Sequence, residues 1–376
     1  KTLEGHDIRL LMDNTIADVE DHALINTHLT TCVESATGQA GNFQVSLKKK
    51  NDTQTIQLKY GTIIIATGGE ESATLSYNYE QSEAIITQKE LTKGLTSQEI
   101  DPQKMNSLVM IQCVDSREQF RNYCSRVCCS TALKNALKLL ELNPKLSITV
   151  FYRDMMSYGF TESFFTEARK KGLLFIQYEK NNKPKVTVVE DRLKVTGYEP
   201  ILGRDLEINT DLVVLATGVR PNYSKRLADG LNIQVESHGF FQEAESKWRP
   251  VDSIKDGVFA CGLAHSPRNI TESIASAQAA AQKSLRILSD DKLIAAKTVA
   301  SVRQSLCSHC ERCIEVCPYE ARTIDPETDE IVVNPAMCQG CGACAAVCPN
   351  SASILNGFSD QLMLDEISLV VSSMNT

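Results

Sequence analysis

Apolar residues recur along this chain in short runs separated by polar and glycine-containing turns, and the periods of those runs predict an α/β protein. Residues 1 to about 105 read as alternating strands and loops, ending on the apolar strand Gly61-Thr62-Ile63-Ile64-Ile65-Ala66 before Thr67-Gly68-Gly69. An uninterrupted apolar strand of this kind asks for cover on both faces. The strand Ser107-Leu108-Val109-Met110-Ile111-Gln112-Cys113, a loop, a helix near 127–142 and the strand 147–152 then form a βαβ unit, which implies a parallel sheet and a right-handed crossover. Two further strands fall at 185–189 and 193–197. Residues 211–218 repeat the strand followed by Ala-Thr-Gly seen at 61–68, so two related lobes are expected. A strand at 257–262 runs into glycine, and an alanine-rich helix over 274–288 closes the first lobe.

The domain organisation expected from this pattern is a first lobe made of 1–105 and 236–290, enclosing a second lobe at 106–235. A charged helical linker at 291–303, a cysteine-rich module at 304–356 and an amphipathic tail at 357–376 follow.

A chain of 376 residues can build two or three cores. Its net charge of -8, with no basic run longer than Lys48-Lys49-Lys50, argues against nucleic acid as a partner. No apolar stretch approaches the roughly 18 to 20 residues needed to cross a bilayer, and the first residues form no signal peptide. The 14 cysteines fall largely in tight local groups, a distribution suited to metal rather than to disulfides. Thiolates gathered around iron imply a reducing compartment, so a cytoplasmic location is expected.

Two cysteine runs carry the most specific signal. Cys307-x2-Cys310-x2-Cys313-x3-Cys317-Pro318 and Cys338-x2-Cys341-x2-Cys344-x3-Cys348-Pro349 each match the bacterial ferredoxin spacing. In that pattern three thiolates bind one 4Fe-4S cubane and the fourth crosses to the other. One cluster therefore takes Cys307, Cys310, Cys313 and Cys348, and the second takes Cys338, Cys341, Cys344 and Cys317. Gly340 and Gly342 let backbone N–H groups approach sulfur. A zinc ribbon would account for a single CxxC but not for two complete runs with their prolines.

The chain also resembles the A subunit of heterodisulfide reductase and its relatives in anaerobic electron-transfer complexes. The residues that carry the resemblance are Gly38-x2-Gly41-Asn42-Phe43, Gln112-Cys113-Val114-x-Ser116-Arg117, Tyr123-Cys124-Ser125-Arg126-Val127-Cys128-Cys129, Lys247-x-Arg249-Pro250-Val251-Asp252 and Val258-Phe259-Ala260-Cys261-Gly262. The resemblance implies a thioredoxin-reductase-like, two-lobed flavoprotein that carries FAD, followed by the 2x4Fe-4S module, with other redox subunits as partners. The family's opening G-x-G-x-x-G, which cradles the FAD pyrophosphate, is absent here, so the first lobe is incomplete or a second polypeptide supplies that half. Toward FAD the resemblance implies Ala66, Thr67, Gly68, Arg249, Pro250, Gly262 and Leu263, with Ser273, Ile274 and Ala275 opening a helix whose dipole faces the flavin.

In two-lobed flavoprotein reductases the second βαβ unit carries a glycine-rich loop for NAD(P)H. Cysteines occupy that loop here, spaced C-x10-C-x3-C-C. We read Cys113, Cys124, Cys128 and Cys129 as ligands of a third 4Fe-4S cluster lying where a nicotinamide would otherwise sit. The alternative is that they are buried structural thiols. Lys134 is either a flavin-tuning ammonium or a solvated surface lysine. Cys32 and Cys261 read as core residues, and His265 and His309 as bystanders.

The functional expectation is an electron-transfer subunit of a multi-subunit anaerobic oxidoreductase, passing electrons between FAD and 4Fe-4S clusters, with flavin-based electron bifurcation as one form of it. A flavin-free iron–sulfur wire is the alternative. An NAD(P)H-dependent disulfide reductase ranks last, because neither lobe contains a redox C-x-x-C pair or a second glycine loop.

Overall fold

The computed structural model describes residues 2, 5–50, 54–189, 192–247, 249–289, 298–335, 337–358 and 360–374. Five parallel strands organise the second lobe, in the spatial order Ile85–Thr87, Leu212–Leu215, Ser107–Ile111, Ser147–Tyr152 and Leu174–Gln177. Val109 stands between Val213 and Thr149, which fixes the register at the centre. The inner strands are apolar throughout because both faces are covered. Leu108, Met110, Ile148 and Val214 pack against Leu133, Ala136 and Leu139 of the helix Val127–Leu142. Val109, Ile111, Phe151 and Val213 pack on the other face against Val186, Leu193 and Val195. Those three belong to an antiparallel sheet of Lys185–Val189, Arg192–Glu199 and Arg204–Thr210. Each fully buried Leu or Ile here contributes about 2 kcal/mol.

The first lobe repeats part of this plan. An antiparallel sheet of Thr31–Gln39, Asn42–Lys49 and Thr55–Tyr60 leads into Ile63–Ile65, which pairs in parallel with Val258–Ala260. Phe43, Val45, Ile65, Leu231, Phe241 and Val258 form its core. In both lobes a three-stranded sheet precedes an apolar strand, a Thr-Gly turn and a short strand. The two short strands, Gly69–Glu71 and Val219–Pro221, pair antiparallel with each other, so the repeated turns meet. Gly68 and Gly218 take the left-handed φ values +73° and +81° that this turn demands.

Several expectations need correction. Residues 1–105 contain the helices Ile8–Glu20 and Gln88–Ser97 as well as strands, and the lobe bounds shift: Ile85–Thr87 and Leu91 belong to the second lobe and its core, whereas Ala228, Leu231 and Ile233 pack in the core of the first. The second helix begins at a capping box, in which Thr87 accepts from the Glu90 N–H and Glu90 accepts from the Thr87 N–H. The Ile63–Ile65 strand is covered on one face only, since Ile64 is 42% exposed. Cys32 is exposed, because the register shift between Val33 and Ser35 resets the alternation and sets it opposite the exposed Lys48, whereas Cys261 is buried as expected.

The closing helix runs over Ile270–Leu288, four residues earlier than anticipated. Of the anticipated helical linker, 291–297 lie outside the described residues, and Ala300–Val302 is a strand paired with Ser353–Leu355. That pair, the hairpin Arg322–Ile324 with Ile331–Val333, and the short helices Arg312–Glu315 and Ala343–Ala346 build the cysteine-rich unit. The tail is the helix Asp360–Met374. Among the described residues no helix is long and apolar enough to cross a membrane.

Candidate functional site

The loop between Ser107–Ile111 and Val127–Leu142 leaves the carboxyl end of the central strand, where open α/β sheets present their ligands. It is held in an unusual shape. Cys113, Asp115, Arg117 and Arg126 all have positive φ, between 50° and 60°, which is costly for side chains with a Cβ. The buried fork of Arg121 maintains it, donating to the carbonyls of Asp115 at 2.7 Å, Val114 at 2.9 Å and Thr217 at 2.6 Å, and to Ser72 Oγ. Asp115 accepts from Thr74 Oγ1 at 2.5 Å and Ser76 Oγ at 2.7 Å.

This loop brings Cys113, Cys124, Cys128 and Cys129 together. Burial pushes the thiols of Cys113, Cys128 and Cys129 up, that of Cys129 to about 12, and the neighbouring thiols add to the effect. Cys124 acts on Cys113, and both act on Cys128 and Cys129. Arg117, Arg121 and Arg153 work in the opposite direction. Four thiolates this close repel one another unless a cationic core lies among them, so the donor set fits an iron–sulfur cluster.

The start of the helix Val127–Leu142 supports the same fit. Its N-cap, Arg126, makes no side-chain capping bond, so beyond the Val127 N–H, which donates to Ser125 O at 2.6 Å, the first-turn N–H groups remain available to anionic sulfur. By contrast, the helices at Gln88 and Ile270 both carry complete capping boxes. The Arg126 N–H already donates to Cys124 Sγ at 3.3 Å. Among the described residues no three His, Cys, Asp or Glu side chains close on a single metal ion. A cubane binds its thiolates at four separate irons and therefore spaces them more widely than one ion would.

Cys128 also lines an open cleft of about 890 Å³ with Gln88, Lys89, Thr131, Thr217 and Gly218. The Oγ1 atoms of Thr67 and Thr217, the threonines of the two repeated turns, are buried without a hydrogen-bond partner. Both are orphaned polar atoms at strand ends where a ligand would satisfy them. In the first lobe Ala66, Thr67, Gly68, Gly262 and Leu263 converge, since Cys261 N donates to Ile65 O at 3.0 Å and Leu263 Cβ lies against Gly69.

Other residues expected to serve FAD do not fit that role as read from sequence. Ser273, Ile274 and Ala275 do not open their helix, which starts at Ile270 with Asn269 as N-cap. Glu272 already answers the positive end of that dipole, accepting from Asn269 N at 3.0 Å and pairing with Arg126 at 2.6 Å. The guanidinium of Arg249 pairs with Asp256 at 2.8 Å within the first lobe, and Asp256 also accepts from Gln339 of the cysteine-rich unit, so Arg249 holds the carboxylate that Gln339 reaches across to. Pro250 is exposed. Lys134 is half-buried, not solvated, and burial lowers its pKa. His265 is held between Phe241 O at 3.1 Å and Glu243 at 3.0 Å, and His309 is exposed on its loop.

In the C-terminal unit Cys317, Cys338, Cys341 and Cys344 line one small cavity of about 20 Å³, which is the set expected for the second ferredoxin cluster. Gly342, at φ +77°, precedes the short helix that carries Cys344. Gly340, at φ +64°, approaches Thr298 O too closely for any Cβ. For the other set, burial pushes Cys313 up, and Cys307 acts on it in the same direction. Burial also acts to raise Cys348, but N–H donors from Ser353, Asn350 and Ala352 hold it below the usual thiol range. The Ala300 N–H donates to Cys338 Sγ and the Ser353 N–H to Cys348 Sγ, both at 3.4 Å.

Sequence reading missed Arg121, Thr217 and Arg322. The repeated Ala-Thr-Gly marked Thr217, but nothing along the chain distinguishes Arg121 or Arg322 from surface arginines.

Comparison with known proteins adds to this geometry. Residues 306–352 match the 4Fe-4S dicluster domain family. The A subunit of the ferredoxin:CoB-CoM heterodisulfide reductase of Methanosarcina acetivorans is 31% identical over 330 residues, covering 75% of this chain and 40% of that protein. An Archaeoglobus profundus protein described as like the A subunit of heterodisulfide reductase is 36% identical over 239 residues, 63% of this chain and 34% of that protein. The chain thus spans less than half the length of these curated relatives. Among solved structures, thioredoxin reductase of T. acidophilum overlays with a TM-score of 0.49 at 14% identity, covering 75% of this chain and 81% of that one. So loose a likeness carries no argument about function.

Proposed function

Over the residues it spans, the chain belongs to the family of heterodisulfide reductase A subunits, and from that premise we propose that it passes electrons between FAD and three 4Fe-4S clusters within a multi-subunit oxidoreductase. The observation that carries this reading is the convergence of Cys113, Cys124, Cys128 and Cys129 at an uncapped helix N-terminus, with Cys128 on the wall of an open cleft. The third cluster takes these four thiolates. The ferredoxin-type clusters take Cys307, Cys310, Cys313 with Cys348, and Cys338, Cys341, Cys344 with Cys317.

FAD, held by Ala66, Thr67, Gly68, Gly262 and Leu263, would supply exchange between two-electron and one-electron chemistry. The protein's own contribution is electrostatic. Arg117, Arg121 and Arg153 offset the negative charge gathered at the third cysteine group, and the free helix N–H groups stabilise it further. The tie of Arg249 and Gln339 to Asp256 fixes the dicluster unit against the first lobe. Other iron–sulfur proteins of the complex are the partners of this reading, a reducing compartment is its setting, and bifurcation is a more specific form of it.

Iron and flavin content of anaerobically prepared protein tests it. About twelve irons per chain are expected from three cubanes. A reproducible value near eight would return the third cysteine group to the core. Acid-released flavin separates this function from that of a flavin-free wire.

A further inference from the structure

Arg322 opens the strand Arg322–Ile324, where it pairs with Val333, and is 2% exposed. A guanidinium stays charged at any accessible pH, so its burial needs compensating negative charge. Among the described residues no carboxylate forms an ion pair with it. Nη2 donates to Ser353 Oγ at 2.5 Å, and Nη1 is buried without a partner.

Its surroundings are the two cysteine sets. The side chain lines the cavity shared by Cys317, Cys338, Cys341 and Cys344. The other set is Cys307, Cys310, Cys313 and Cys348. Ser353 links it to that second side as well, since the Ser353 N–H donates to Cys348 Sγ at 3.4 Å. A buried, unpaired cation thus stands between two sites whose ligands are all anionic when bound to iron.

We propose that Arg322 is a shared electrostatic tuning residue, placed so that its one charge raises the reduction potentials of both ferredoxin-type clusters. A cubane held by four thiolates is net negative and gains one further negative charge when it accepts an electron. A fixed cation in a low-dielectric interior stabilises the reduced form more than the oxidised form. Arg322 gains and loses no proton in this role. Because it borders one set and is linked through Ser353 to the other, it favours both reductions together rather than separating the clusters into a high-potential and a low-potential partner. The inference rests on the assignment of the eight cysteines to two cubanes, and iron counting tells failure of that assignment from failure of this one.

The test compares the wild-type chain with Arg322→Met, which removes the charge at similar length, and Arg322→Lys, which keeps it. Iron content and electron paramagnetic resonance at poised potentials are measured on the same anaerobic samples. Arg322→Met should retain its iron while reduction of both clusters becomes at least tenfold less favourable, a downward shift of about 59 mV for a one-electron couple. Arg322→Lys should stay within that interval of wild type. Full iron with unchanged potentials in Arg322→Met overturns the proposal. If Arg322→Met holds no iron, Arg322→Lys decides. Retained iron and potentials support the charge, whereas equal loss in Arg322→Lys overturns it in favour of a structural role through Ser353. Absence of iron from the wild-type dicluster unit removes the assignment itself, and this inference with it.

Discussion

Arg121 and Thr217, 96 positions apart, are joined by a hydrogen bond of 2.6 Å from the guanidinium Nη2 to the threonine carbonyl. The bond fastens the cysteine-bearing loop to the Ala-Thr-Gly turn of the neighbouring strand. Ser125 strengthens the same seam, since its Oγ accepts from Val219 N at 2.9 Å. The third cysteine group is therefore positioned by a turn that the chain uses twice.

The two copies of that turn should respond differently to the same substitution. A Cβ on Gly218 would overlap Ser125 Oγ, and its φ is +81°, so Gly218→Ala should cost about 2–3 kcal/mol and disturb the loop that carries Cys124. Gly68, at φ +73°, meets nothing nearer than Asn222 Nδ2 at 3.8 Å, so Gly68→Ala should cost only about 1 kcal/mol. Denaturant unfolding of the two variants under identical conditions checks the order.

Cys128→Ala should reduce iron from about twelve to about eight per chain. The electron paramagnetic resonance signals of the two ferredoxin-type clusters should persist, because their eight ligands are elsewhere. Wild-type iron content and spectra in this variant would show that Cys128 is a core thiol.

Lys134 should oppose folding at neutral pH, because burial lowers its pKa. Between that lowered value and the ordinary lysine value of about 10.4, the unfolded chain binds more protons than the folded one, so stability rises with pH. Lys134→Met should accordingly raise the unfolding midpoint by roughly 2 °C at pH 7. Its advantage should shrink as the pH approaches 10, and thermal scans across that range would reveal it. A gain independent of pH would mean that packing, not charge, sets the effect.

Asp256 joins the first lobe to the dicluster unit by accepting from Gln339, while Arg249 of its own lobe holds the carboxylate in place. Asp256→Ala leaves the largely buried Arg249 guanidinium unpaired, at a cost of about 1–3 kcal/mol. Limited proteolysis should then cut faster between the two units while the iron content stays unchanged. Cleavage at the wild-type rate would remove Asp256 as the tie.

The sequence alone determined the two ferredoxin-type runs, because their spacing encodes which thiolates wrap one cube and which residue crosses to the other. It also determined the strands of the second lobe and the helix over 127–142, where apolar periods and element lengths are local properties. The closeness of Cys113 to Cys128 was read from the place of the cysteines in the loop of the second βαβ unit, and tertiary structure supplied the physical cause in Arg121 and the seam to Thr217. Helix starts were misread where capping decided them. Glu272 and Asn269 begin their helix at Ile270 and take up the positive end meant for a ligand. Only the folded chain shows that Arg249 is occupied by Asp256, that Ile64 lies on an uncovered face, and that Arg322 is a buried cation between two cysteine sets. Those facts depend on which distant side chains share a volume, and no period or spacing along the chain records that.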